Sequence, residues 1–357
     1  MATFASIVHT REHNRNQQPL QIWLFAMAAL VFLMVAVGGA TRLTGSGLSI
    51  TEWQPIMGAV PPLGDAAWQD AFEKYKQIPQ YKILNKGMSL EAFKSIYLWE
   101  WGHRFLGRLI GIAFLIPFLF FIARGAITRA LAWRLSGLFV LGGLQGALGW
   151  YMVQSGLSQR TDVSQYRLAA HLLLASLLLA ALLWIALNVG RPAARRLQLQ
   201  TLAPGSRASA TFILALVFAQ IGAGALVAGL KAGLAYNTWP LMDGHIVPGG
   251  LGLMTPLWLN AFENSATVQF DHRGLAYLLA AAVTWHGLRV IRTANDEHMR
   301  YSAAALMLTV AGQIALGIWT LLAHVPLSLA LGHQMMAMLV LATAVWHLQT
   351  LQADPLP

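Results

Sequence analysis

The sequence predicts an all-α membrane protein of eight transmembrane helices, arranged as two pseudo-symmetric four-helix bundles in a parallel repeat. Three observations predict it. The chain is 57% hydrophobic and only 11% charged. Eight apolar runs are each long enough to cross a hydrocarbon layer of ~30 Å. Histidines recur at matching places in the two halves. A soluble domain carries roughly a quarter charged residues, and 24 basic with 14 acidic side chains cannot cover a soluble protein of 357 residues.

The eight runs lie near 21–41, 99–123, 132–153, 167–189, 209–230, 267–290, 301–323 and 328–350. Residues 1–20 read as a polar N-terminal segment of mixed charge without a cleavable signal pattern. The first bundle then covers 21–190 with a long loop over 42–98, a linker covers 191–208, the second bundle covers 209–350, and 351–357 form a tail. Eight spans put both termini on one side. Arg11, Arg15, Arg124, Arg129, Arg134, Arg191, Arg195, Arg196, Arg207, Arg289, Arg292 and Arg300 all fall on that side. In the 42–98 loop, Lys74, Lys76, Lys82, Lys86 and Lys94 are offset by Asp65, Asp70, Glu73 and Glu91. The bias predicts cytoplasmic termini, an outward 42–98 loop and, without a transit-like leader, a bacterial inner membrane.

The same distribution explains the net charge of +10. Arginine gathers in short loops rather than along one face, so membrane lipid, and no nucleic acid, is the expected surrounding. The chain has no cysteine. That excludes disulfides, thiolate haem ligation, cysteine-held iron–sulfur clusters and c-type attachment.

The second half repeats the first. Trp101-Gly102-His103-Arg104 aligns with Phe270-Asp271-His272-Arg273, Gln145-Gly146-Ala147-Leu148-Gly149 with Gln313-Ile314-Ala315-Leu316-Gly317, and His171 with His333. Gly47-Leu48 and Trp53 match Gly233-Leu234 and Trp239. Each unit holds an even number of spans, so both point the same way and are related about an axis along the membrane normal.

His103, His171, His272 and His333 each stand early in the second or fourth helix of their unit, near the outer face. Two imidazoles from facing helices can supply both axial ligands to a haem iron in a bundle core. One such histidine alone at a membrane interface would be unremarkable; the recurrence of the pair is the signal. His286 and His347 lie fourteen residues beyond His272 and His333, or roughly 21 Å deeper. Interfacial packing is the favoured reading for both, with a second stacked haem as the alternative; the first unit has Pro117 and Ile185 there. His9, His13, His245, His298 and His324 read as solvated, with His245 and His324 kept as candidates near the outer rim.

Glu100 precedes His103 by one helical turn and shares its face. The aligned residue of the second unit is Gln269, which cannot exchange a proton. One iron site therefore has an acid beside it that could move a proton or stabilise developing positive charge; the alternative is an interfacial residue paired with Arg104 or Arg108. Arg104, Arg273 and Arg42 are candidate partners of haem propionates, or they snorkel to headgroups. Gly142, Gly143, Gly146 and Gly149 read as permitting close helix packing.

The run Glu100-Trp101-Gly102-His103-Arg104, with His171, His272-Arg273 and His333, resembles the E-x-x-H-R pattern of the haem A synthase family. The loop Gly39-Ala40-Thr41-Arg42-Leu43-Thr44-Gly45-Ser46-Gly47-Leu48-Ser49 and Trp53-Gln54-Pro55 are similar to it too, so the resemblance covers roughly residues 20 to 350. It implies two four-helix bundles that oxidise a ring methyl of haem O to a formyl group through hydroxylated intermediates, with oxygen from water, for terminal oxidase assembly. Carried over, His103 and His171 bracket the haem O substrate with Glu100 as catalytic carboxylate, and His272 and His333 hold a haem b. Haem O synthase, oxidase assembly factors and a second copy of the chain become candidate partners. Some members carry a loop cysteine pair that this chain lacks, which places it nearer the proteobacterial and mitochondrial branch. Two other classes compete: a b-type cytochrome that only relays electrons, for which Glu100 against Gln269 has no use, and a transporter built from repeats.

Overall fold

The computed structural model describes residues 4–54, 57–158, 160–189 and 205–352, with side chains from residue 17 onward. The side chains of His9, Arg11, His13 and Arg15, Pro55, most of the 191–208 linker and residues 353–357 lie outside that description. Among the described residues the fold is all-helical. The helices are α1 (Phe4–Leu43), α2 (Asp65–Tyr75), α3 (Pro79–Ile83), α4 (Leu90–Ala123), α5 (Arg129–Gln154), α6 (Gln165–Val189), α7 (Ser206–Gly229), α8 (Asn260–Glu263), α9 (Ser265–Thr293), α10 (Glu297–Leu322) and α11 (Leu327–Thr350). Eight of them, all but α2, α3 and α8, are long and apolar enough to cross a membrane. Ile112, Ile116 and Leu119 of α4, Val140 and Leu144 of α5 and Leu308 of α10 are exposed along these spans. Such an apolar belt suits hydrocarbon and not water.

The predicted spans match within a few residues except at the starts of α1 and α4. The α4 helix begins at Leu90, where the Ser89 hydroxyl caps it by accepting from Ala92 N at 3.2 Å. Its first turns belong to the preceding loop: Phe93 packs with Leu48, Phe72, Tyr75 and Ile78 in a separate aromatic core. The loop predicted over 42–98 is therefore a folded cap, tied internally by Gln80 Nε2 donating to Gly45 O at 3.0 Å. Within α4, Pro117 has no N–H for the carbonyl one turn back. The indole of Trp23 in α1 supplies that donor, at 3.0 Å from Ala113 O.

Packing closes two rings. In the first, α1 lies on α4, α4 on α5, α5 on α6 and α6 back on α1. In the second, α7 lies on α9, α9 on α10, α10 on α11 and α11 back on α7. The rings meet through α6 against α7 and α11, and α1 against α11. One apolar core runs through both, with Leu24, Leu135, Leu179, Ile213, Leu306, Met338 and Leu341 fully buried. Gly229 lets α7 approach α6 so closely that a Cβ there would stand 2.7 Å from the Cα of Gln165. Polar clasps span the junction: Gln334 Nε2 to Val35 O at 2.8 Å, and Arg42 Nη1 to Ala228 O at 3.1 Å.

Candidate functional site

Alternate helices of each ring run the same way, so α4, α6, α9 and α11 all start at the end carrying the cap. His171, His272 and His333 lie seven, eight and seven residues into α6, α9 and α11, about 10 Å from the helix start. His103 is the fourteenth residue of α4 because that helix begins inside the cap. All four rings are half-buried. Within each pair, His103 with His171 and His272 with His333, the two histidines stand on alternate helices of one ring.

Each imidazole rests against a glycine of the neighbouring helix, where the missing side chain leaves space for a flat ring. A Cβ on Gly149 of α5 would stand 3.0 Å from His171 Cε1, on Gly224 of α7 3.2 Å from His272 Cε1, and on Gly317 of α10 2.7 Å from His333 Cε1. On Gly38 of α1 it would meet His103 at Nε2, 3.0 Å away. One turn before three of these glycines stands a glutamine. Gln145 Nε2 donates to His171 O at 3.0 Å and Gln220 Nε2 to His272 O at 3.1 Å, the latter also 3.1 Å from His272 Nδ1. Gln313 Nε2 lies 3.4 Å from His333 Nε2. Gln220, Gly38 and Gly224 escaped sequence reasoning. The signal was present as Q-x-x-x-G at 145–149, 220–224 and 313–317, since residues four apart share a helix face.

The Nδ1 atoms of His171 and His333, and the Oε1 atoms of Gln145, Gln220 and Gln313, are buried without a protein partner. Buried polar atoms are normally satisfied. Two imidazoles on separate helices of one ring, one of them with an unpartnered nitrogen, fit a haem held from both sides. Among the described residues no three His, Cys, Asp or Glu side chains gather into a metal cluster; the imidazoles come in pairs.

Glu100 is 3% exposed and faces the cap. Its Oε1 accepts from Arg104 Nη2 at 2.6 Å and Nε at 3.1 Å. Its Oε2 accepts from Ser49 Oγ and Ile50 N, both at 2.8 Å. Arg104 also donates to Ile50 O at 3.0 Å and Glu52 O at 3.2 Å. The second ring repeats the latch without the acid: Arg273 donates to Tyr236 O at 3.1 Å and Thr238 O at 3.0 Å, and Gln269 Nε2 to Tyr236 O at 2.9 Å. Gln269 Oε1 is buried and unpartnered. Arg42, the third candidate propionate partner, donates from Nη1 to Ala228 O in the last turn of α7 at 3.1 Å.

His286 and His347 do not bracket a haem: they pack against each other toward the C-terminal ends of α9 and α11. Both are fully buried, and their Nε2 atoms hydrogen-bond each other at 2.8 Å, leaving no room for a porphyrin between them. Ser209 Oγ meets His286 Nδ1 and Ser302 Oγ meets His347 Nδ1, each at 2.8 Å. His245, His298 and His324 are exposed. A Cβ on Gly142, Gly143 or Gly146 would meet nothing within 4 Å, so of the α5 glycines read as packing devices only Gly149 serves a contact.

With this geometry in place, comparison with known proteins gives a consistent answer. The family model COX15-CtaA, described as cytochrome oxidase assembly protein, matches residues 21–345. A protein named Heme A synthase from Azorhizobium caulinodans is 56% identical over 335 residues, covering 93% of this chain and 94% of the relative. The same name is carried by relatives from Parvibaculum lavamentivorans, 54% identical over 94% of this chain and 95% of the relative, and from Nitrosospira multiformis, 52% identical over 92% of each.

Proposed function

This chain belongs to the COX15-CtaA family of cytochrome oxidase assembly proteins, and from that premise we propose how its two histidine pairs divide the work of making haem A. It is a multi-pass membrane oxidoreductase of haem A synthesis. The reaction we assign takes the ring methyl of haem O to a formyl group through hydroxylated intermediates. One water supplies the oxygen, and four protons and four electrons leave. His103 and His171 bracket the haem O substrate. His272 and His333 hold a haem b, which when bound supplies one-electron redox chemistry. The termini are cytoplasmic and both sites lie toward the outer leaflet of a bacterial inner membrane.

One observation carries the assignment: two rings present the same histidine pair at the same end, and only the first has a carboxylate one turn away. Glu100 is the group we assign to proton movement at the reacting substituent. It is buried, held by the Ser49 hydroxyl and the Ile50 N–H, and oriented by Arg104. Arg104 and Arg273, each next to a ligand, share the propionates with the loop carbonyls they already bind. A second reading, a cytochrome that only relays electrons, is favoured by the fact that both Glu100 oxygens are engaged by the cap and Arg104. Haem extraction decides between them. Co-expression with a source of haem O should yield haem A or its hydroxylated precursor in the purified protein. Recovery of protohaem and unchanged haem O alone, from protein that has bound both, overturns the enzymatic reading.

A further inference from the structure

The four histidines are not held alike. His171, His272 and His333 present Cε1 to their glycine, leaving a ring nitrogen on either side, and each has a glutamine one turn before that glycine. His103 presents Nε2 to Gly38, and the position one turn before Gly38 is Met34. Met34 reaches away toward the next turn of α4: a Cβ on Gly107 would lie 3.3 Å from its Cε. A thioether offers no donor to an imidazole edge or to a histidine carbonyl. His103 therefore lacks both the glutamine and the ring setting that its three counterparts share. Groups around a ligating histidine fix its place, and losing one costs metal affinity; here the glutamine amide donates to the carbonyls of His171 and His272 and stands 3.4 Å from the His333 ring.

We infer that Gln145, Gln220 and Gln313 are positioning residues for their imidazoles, and that His103 is the releasable ligand through which a haem enters and leaves the first ring. This rests on the haem reading above and goes further: it names which bond breaks during exchange. In the second ring a glutamine stands beside both histidines, as suits a haem that stays. In the first only His171 has one, as suits a haem that is taken up, changed and passed on. The bond from His103 to the iron opens while His171 keeps its own.

The test loads purified protein with protohaem in both rings and follows transfer to excess apomyoglobin, with electron paramagnetic resonance of the low-spin signals in parallel. Wild type should release haem in two phases, and the fast phase should belong to the first ring. Met34→Gln should slow that phase about tenfold and sharpen its low-spin signal, whereas Gln220→Leu should speed the slow phase about tenfold. The wild-type phases need no variant, so a substitution that fails to fold leaves the proposal testable. Two haems bound but released at one common rate, or a fast phase that Met34→Gln leaves unmoved, overturns this inference alone. Protein that takes up no haem at all overturns the haem reading together with it.

Discussion

In the first ring Arg104 folds the cap over a carboxylate; in the second Arg273 folds the corresponding loop over an amide. The anchoring carbonyls correspond residue for residue, Ile50 and Glu52 in one, Tyr236 and Thr238 in the other. The second ring thus builds its latch with a neutral side chain, donating Gln269 Nε2 to the carbonyl that Arg273 also binds. A loop of this kind does not need an acid to close. We therefore propose that Glu100 adds more than architecture to the first ring, since a buried ion pair is a costly way to hold a loop.

The largest effect should come from removing that difference. Glu100→Gln keeps one oxygen for Ile50 N and discards the proton-exchanging group, so conversion of haem O should fall by about 100-fold or more while bound haem persists. The reverse exchange, Gln269→Glu, should leave conversion near wild type. Haem analysis beside turnover reads both. Should haem content in Glu100→Gln fall in step with conversion, the carboxylate is a latch and the contrast between the rings is architectural.

The next comparison sets glycines against one another. Gly317 has the least room, its would-be Cβ only 2.7 Å from His333, whereas Gly224 leaves 3.2 Å to His272. Gly317→Ala should displace the imidazole and remove the haem signal of the second ring, and Gly224→Ala should keep most of it. The optical spectrum of each purified variant checks the order; equal loss in both would mean that the glycines set helix spacing and not ring placement.

These contacts mark where sequence reading stopped. Hydropathy located the spans because lipid imposes one length on all of them, and the repeated histidines pointed to four helices that start at the same end. The early start of α4 was hidden because Phe93 and Ser89 act on a cap whose partners, Phe72 and Tyr75, come from a separate helix. Gln220 and Gly224 carry a readable spacing, but its meaning depends on which ring lies across the helix boundary. His286 and His347 were ambiguous for a similar reason. Fourteen residues beyond a ligand describes a stacked haem and a buried hydrogen bond equally well, and only the 2.8 Å between their nitrogens separates the two.

The arginines give a smaller, graded contrast. Arg104→Ala strands a carboxylate that is 3% exposed, which costs about 3 kcal/mol by analogy with other broken buried pairs. Arg273→Ala leaves neutral carbonyls, one of them still served by Gln269, at about 1–2 kcal/mol. Thermal unfolding in detergent should rank Arg104→Ala well below Arg273→Ala, and equal shifts would show that the ion pair adds nothing to the latch.

The smallest effect concerns a feature that only the second ring has. The His286–His347 pair is satisfied in either tautomer. With the shared proton on His286, Ser209 donates to its Nδ1 and His347 donates to Ser302; with it on His347, Ser302 donates and Ser209 accepts while donating to Gly205 O or Ser206 O at 3.0 Å. Neither arrangement strands a buried atom. Ser209→Ala removes one end and leaves His286 Nδ1 without its partner, a cost of about 1 kcal/mol. Ser302→Ala should cost more, because Ser302 is fully buried and also meets Thr350 Oγ1 at 3.0 Å. Both should leave bound haem unchanged, since the pair lies roughly 21 Å along the helices from His272 and His333. A change in the haem spectrum on Ser302→Ala would mean that this pair is coupled to the iron site, and that the rings differ in more than their acid.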